Sequence, residues 1–148
     1  MNPPNQNAAP NQNATNGKIL VIDDNPVIQR AMHVALQQHG YLVLESGDIA
    51  GALKIVREQR PDVILLDLNF PADNALVSYS LRDGFAVLEW LHRLEESKGI
   101  PIIVVSIDPP EKSETQALAA GAAAYFCKPV DNDELAVTLA VLLDRKGR

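Results

Sequence analysis

Four apolar runs in this sequence stop abruptly at polar residues. KILVID ends at Asp23 with Asp24 beside it, VILLD ends at Asp67, IIVVS ends at Ser106 and AYFCK ends at Lys128. Short continuous runs of this kind fit strands buried on both faces, as in a parallel sheet. The carboxyl ends of such strands form the crevice where an open parallel sheet binds its ligands, so groups far apart in sequence can share one site. Packing does not account for an aspartate at the end of such a strand.

If the first and third runs are neighbours, Asp23, Asp24 and Asp67 lie within a few ångströms of one another. Like unit charges about 4 Å apart repel by roughly 4 kcal/mol at an effective dielectric of 20. The cluster therefore needs a cation, or one member must hold a proton. Ligation by carboxylate, backbone carbonyl and water oxygens suits a hard ion such as Mg²⁺, with Mn²⁺ a substitute. No His or Cys stands in the acidic cluster, which argues against zinc. Lys128 and Ser106 add a fixed ammonium and a hydroxyl donor, both suited to phosphoryl oxygens. Metal on one side and lysine on the other make a clamp for the charge that develops in phosphoryl transfer. Asp67 is the candidate nucleophile, since a carboxylate can accept a phosphoryl group covalently.

The elements that must position these groups alternate along the chain. The first strand, Lys18 to Asp23, is followed by Asn25-Pro26, a capping residue and a proline suited to the first helical position. Val27, Ile28, Ala31, Val34, Ala35 and Leu36 then recur at helical spacing until Gly40. A strand at Tyr41 to Glu45 leads to Asp48 and a helix with Ile49, Leu53 and Val56 on one face. The third strand follows Pro61. Asp83-Gly84 opens a helix with Phe85, Leu88, Leu91 and Leu94 on its apolar stripe, closed by Gly99 and Pro101. After the strand Ile102 to Ser106, Asp108-Pro109-Pro110 starts a short helix that runs to Gly121. The strand Ala123 to Cys127 follows, and Asp131 with Glu134 has capping-box spacing ahead of a last helix, Leu135 to about Arg145. Five alternations of strand and helix predict a doubly wound α/β domain, a parallel sheet with helices on both faces.

At 148 residues the chain is long enough for one domain with a full core and too short for a second of ordinary size. Residues 1–17 are rich in Asn, Gln, Pro and Ala with no charged or aromatic residue, so they are expected to be a disordered tail ahead of a domain at 18–146. A net charge of -6 disfavours direct binding to nucleic acid or to an anionic membrane. No apolar stretch approaches the roughly 20 residues that span a bilayer. The amino terminus lacks the pattern of a secretory signal, which makes the cytoplasm the expected location. Cys127 is alone, excluding an internal disulfide, and is expected to be a small buried residue on its strand.

The set Asp23-Asp24, Asp67, Ser106 and Lys128-Pro129, in this order and on successive strand ends, resembles the receiver domain of two-component response regulators, over about residues 18 to 145. The resemblance implies a flavodoxin-like five-stranded sheet of order 2-1-3-4-5. It implies that Asp67 takes a phosphoryl group from a phosphohistidine on a histidine kinase or phosphotransfer protein. Mg²⁺ would be held by Asp24, Asp67 and the backbone carbonyl of Asn69, with Asp23 assisting. Lys128 would pair with the phosphoryl oxygens, Ser106 would move toward them, and Tyr125 would turn inward behind it. The face made by the fourth helix, fifth strand and fifth helix would then change shape for a downstream protein. The chain ends about where the fifth helix should, so a stand-alone receiver is expected, acting by protein contact or by relay. It would be no enzyme beyond catalysing its own phosphorylation and dephosphorylation.

Two departures stand out. Between Pro71 and Asp83 the segment Ala72 to Arg82 is an insertion at the site's rim, read as a surface loop with a lid or docking element as the alternative. Ile107 follows Ser106 where the family mostly carries a small residue, which predicts hindered access to Asp67. Two other functions compete. A Mg²⁺-dependent phosphohydrolase forming an aspartyl-phosphate would need a general acid two residues after the nucleophile, where this chain has Asn69. A phosphorylation-independent adaptor is opposed by the intact acidic set, Ser106 and Lys128. By default Asp23 or Asp24 could merely cap a helix, Tyr125 is a core aromatic, and His33, His39 and His92 are surface or half-buried residues.

Overall fold

The computed structural model describes residues 16–68 and 84–146; Asn69, Asp83 and the Ala72 to Arg82 insertion lie outside them. In chain order the elements are β1 (Lys18–Ile22), α1 (Pro26–Gln38), β2 (Leu42–Ser46), α2 (Ile49–Gln59), β3 (Val63–Asp67), α3 (Gly84–Arg93), β4 (Ile102–Ser106), α4 (Pro110–Ala119), β5 (Ala124–Cys127) and α5 (Asn132–Lys146). A single 3-10 turn, Glu95–Ser97, follows α3. The strands form one parallel sheet in the order β2-β1-β3-β4-β5, as expected.

Side chains alternate across a strand, and here the alternation fills two cores. Ile19, Val21, Val63, Leu65 and Ile103 pack with Leu36 of α1 and with Leu135 and Leu139 of α5. Leu20, Ile22, Ile64, Leu66, Ile102 and Val104 pack on the other face with Ile49 and Val56 of α2, Leu88 and Leu91 of α3, and Ala117 of α4. All five residues of β3 and of β4 are buried, which explains why these strands read as unbroken apolar runs. Phe85 and Trp90 lie partly buried against the second core.

Local signals set most helix starts. The Asn25 side-chain oxygen accepts the N–H groups of Val27 at 2.9 Å and Ile28 at 3.3 Å, with Pro26 at the first helical position. Asp48 accepts from the Gly51 N–H at 2.6 Å ahead of α2. Asp131 accepts from Asp133 and Glu134 at 2.9 and 3.1 Å, so α5 opens at Asn132 instead of the expected Leu135. The capping bonds begin the helix one turn before its apolar stripe does. Asn16 and Gly17, assigned to the tail on composition, are held by the domain: the Asn16 N–H donates to Gly40 O and the Leu42 N–H to Gly17 O, both at 2.9 Å. Among the described residues no helix is long and apolar enough to cross a membrane.

Candidate phosphoryl-transfer site

In the sheet order the chain turns back between β1 and β3, and the switch point of such a sheet opens a crevice at the strand ends. Ile22 is paired with Leu66, so Asp23 and Asp67 continue neighbouring strands. Asp67 shares a sheet face with Val63 and Leu65. Carboxylate oxygens of Asp23, Asp24 and Asp67 all lie within 4.8 Å of one another, with Asp23 and Asp67 buried and Asp24 exposed. Asp23 is steadied from α1: its Oδ1 accepts the Asn25 N–H at 2.9 Å, and Gln29 Nε2 donates to its backbone oxygen at 2.6 Å. It therefore holds the entry to α1 as well as facing the cluster, although Asn25 is the residue that caps the helix.

Lys128 completes the group from two strands away. Its N–H donates to Ser106 O at 2.7 Å, and a cis peptide bond joins it to Pro129. Lys128 Nζ stands 3.3 Å from Asp67 Oδ1 and 3.6 Å from Asp23 Oδ2. Three carboxylates and one ammonium leave the cluster with a formal charge of two negatives, and every acidic ligand atom is oxygen. That donor set fits a hard divalent cation. Beside the cluster, between α1 and the start of α5, lies a cavity of about 500 Å³ whose apolar wall includes Ile28, Met32, Leu65 and Val130. Such a wall keeps the dielectric near Asp67 and Lys128 below that of water, which strengthens their attraction.

Ser106 and Tyr125 form a second group. Ser106 is fully buried and follows Ile102 and Val104 toward the α2–α4 face of the sheet. Its Oγ accepts the N–H of Asp108 at 3.0 Å. Tyr125, 9% exposed, points into the same core, and its hydroxyl donates to the Asp108 carbonyl at 2.6 Å. Asp108 thus joins the two residues, a link the sequence did not reveal beyond its place before two prolines. Asn69, expected to offer a backbone carbonyl, lies outside the described residues. Cys127, expected to be buried, is half-exposed because β5 is an edge strand. His33 pairs with Glu45, and the ring of His92 packs at Gly121; neither joins the acidic cluster.

Residues 19–140 match the family model described as the response regulator receiver domain. The chain belongs to the response regulator receiver family. Receivers are signalling switches controlled by phosphorylation, and this receiver is one of them. It is 37% identical over 128 residues to the transcriptional regulatory protein KdpE of Mycobacterium tuberculosis, covering 86% of this chain and 51% of that one. It is 29% identical over 126 residues to protein PilH of Pseudomonas aeruginosa, covering 85% and 97%. The chain therefore spans about half the length of KdpE and nearly all of PilH. Among solved structures, the receiver domain of a Pseudomonas aeruginosa sensor histidine kinase superposes with a TM-score of 0.70 at 27% identity, over 86% of this chain and 98% of that one. That domain was crystallised with magnesium coordinated in its active-site cleft.

Proposed function

We propose that the protein works in the cytoplasm as a receiver whose phosphoacceptor is Asp67, loaded by a histidine kinase or histidine phosphotransfer protein. In the reaction a donor P–N bond breaks as a P–O bond forms to an Asp67 carboxylate oxygen, and the donor imidazole leaves with the electron pair. Asp24, Asp67 and the Asn69 carbonyl would hold Mg²⁺, with Asp23 assisting. The ion's chemistry is to offset negative charge on the phosphoryl oxygens. Lys128 holds the opposite side of the group as a fixed cation. Ser106 then follows the new acceptor oxygens; Tyr125, expected to turn inward, already stands inward with its hydroxyl on the Asp108 carbonyl and keeps that position behind it. The signal passes to a downstream protein or along a relay, with no direct contact to nucleic acid. The acidic surface charge of the chain supports that last point.

The observation that carries this reading is the approach of Lys128 Nζ to Asp67 Oδ1 at 3.3 Å beside two further carboxylates. A nucleophile, a metal-type oxygen set and a fixed ammonium are the parts phosphoryl transfer to a carboxylate requires. Incubation with Mg²⁺ and acetyl phosphate, followed by intact-mass measurement, is expected to add one phosphoryl group to the wild type and none to Asp67→Asn. Labelling of both proteins, or of neither, overturns the assignment.

Ile107 is 65% exposed directly after Ser106. On this reading a bulky side chain at that position would narrow the approach of donor and water to Asp67. Ile107→Ala is expected to speed both phosphorylation by acetyl phosphate and loss of the phosphoryl group, by up to about tenfold, or ~1.4 kcal/mol of barrier. Equal rates in the two proteins would remove the steric role.

A further inference from the structure

One residue outside the reacting cluster engages three elements with three different groups. The Asp108 N–H donates to Ser106 Oγ at the end of β4 at 3.0 Å, and the Asp108 carbonyl accepts from the Tyr125 hydroxyl on β5 at 2.6 Å. Its carboxylate turns the other way, toward α4. Asp108 Oδ2 accepts from Ser113 Oγ at 3.0 Å, and Oδ1 stands 3.7 Å from Lys112 Nζ. Ser113 is only 3% exposed, so its hydroxyl gains from a partner inside the protein.

The connection to α4 has little slack. The helix is capped by Pro109, whose side chain makes no capping bond, and Pro110 occupies the first helical turn. Two prolines fix two successive φ angles, and a residue before proline is itself kept out of the helical region. Pro109 and Pro110 offer neither a side-chain acceptor nor a backbone N–H at this end. The Asp108 carboxylate supplies the anion that the start of a helix favours. A displacement of the Asp108 backbone is thus passed to α4 by a stiff dipeptide and by the bond to Ser113.

We propose that Asp108 is the positioning residue that couples the Ser106 hydroxyl to helix α4, its carboxylate holding Ser113 so that the helix start moves when Ser106 does. This rests on the reading of Asp67 as phosphoacceptor and Ser106 as the follower of its phosphoryl group. When Ser106 Oγ turns toward the phosphoryl oxygens, the Asp108 N–H loses or follows its acceptor. The backbone of Asp108 shifts, and the carboxylate draws the first turn of α4 with it. Both backbone bonds survive truncation of the Asp108 side chain, so substitution there separates coupling from phosphorylation.

The test measures hydrogen–deuterium exchange over 110–119 with and without Mg²⁺ and acetyl phosphate, alongside the phosphorylated fraction by intact mass. Wild type is expected to show a severalfold change in exchange on phosphorylation. Asp108→Ala is expected to reach a similar phosphorylated fraction while losing more than half of that change. Ser113→Ala should match it, and the double variant should be no worse than either alone. Asp108→Asn keeps an acceptor for Ser113 and should retain most of the response, which a general loss of stability would not allow. A wild-type response in Asp108→Ala at equal phosphorylation, additive losses in the double variant, or no change over 110–119 in phosphorylated wild type each overturn the coupling. Failure of wild type to take up phosphate is a separate result; it overturns the phosphoacceptor reading and this proposal with it.

Discussion

Lys128→Met is expected to cost about 3 kcal/mol of stability in chelator-treated buffer, a fall of roughly 10 °C in melting temperature, and millimolar Mg²⁺ is expected to return much of it. Asp23 is 3% exposed and Asp67 7% exposed, and Lys128 Nζ lies within 3.6 Å of both. Methionine preserves the length of the side chain and its apolar packing but leaves two buried carboxylates facing each other. Removing one partner of a buried ion pair typically costs about 3–5 kcal/mol, because the remaining charge is still out of water. The lower end applies here, since Asp23 keeps the Asn25 N–H and Asp24 is exposed and free to turn outward.

The metal distinguishes this account from simple loss of packing. A cation that binds the folded state alone stabilises it according to its concentration over its dissociation constant. With the lysine gone, the cluster carries one more unit of uncompensated negative charge, so it should bind a divalent ion more tightly than wild type does. The increase in melting temperature between chelator and Mg²⁺ should therefore be larger in Lys128→Met than in wild type. Thermal melts of both proteins in the two buffers give the four numbers needed. Equal increments would mean that Lys128 and the metal do not share the same carboxylates.

The strand ends were legible for a physical reason. A strand buried on both faces has no polar positions of its own, so the first polar residue marks its end. Asp23, Asp67, Ser106 and Lys128 all fell at or just past strand ends on that signal. The order of the strands was not in the pattern: nothing in the alternation says that β3 lies beside β1, and that order came with the family resemblance. The start of α5 lies ahead of the expected Leu135 because Asn132, Asp133 and Glu134 carry no apolar stripe; it is the bonds of the Asp133 and Glu134 N–H groups to Asp131 that begin the helix there. Cys127 is half-exposed against expectation because an edge strand has the same apolar composition as a central one. In the sequence Asp108 reads as a helix start and nothing more. Its bonds to Ser106, Tyr125 and Ser113 depend on the packing of β4, β5 and α4, and two of its three groups belong to the backbone, where residue type leaves no trace.

Gly84→Ala is expected to destabilise the protein by about 2–3 kcal/mol and to slow phosphorylation, although alanine is the better helix former by about 1 kcal/mol. A Cβ placed on Gly84, the first residue of α3, would stand 1.9 Å from the carbonyl oxygen of Leu68 and 2.9 Å from its carbon. No flexible side chain can step aside, because the obstacle is backbone. The Leu68 N–H is bonded to Val105 O at 2.9 Å, which ties that backbone to β4. Either α3 withdraws from its packing through Leu88 and Leu91, or the Leu68 peptide turns, and Leu68 directly follows Asp67. A displacement of about 1 Å near a reacting group can lower a rate by up to about 100-fold. Gly47 provides the control, since a Cβ there meets nothing nearer than 3.8 Å. Melting temperatures and acetyl phosphate labelling rates of the two variants should part company: Gly47→Ala near wild type, Gly84→Ala well below it in both. If Gly84→Ala melts and labels like Gly47→Ala, the close approach of α3 to the end of β3 does not set the position of Asp67.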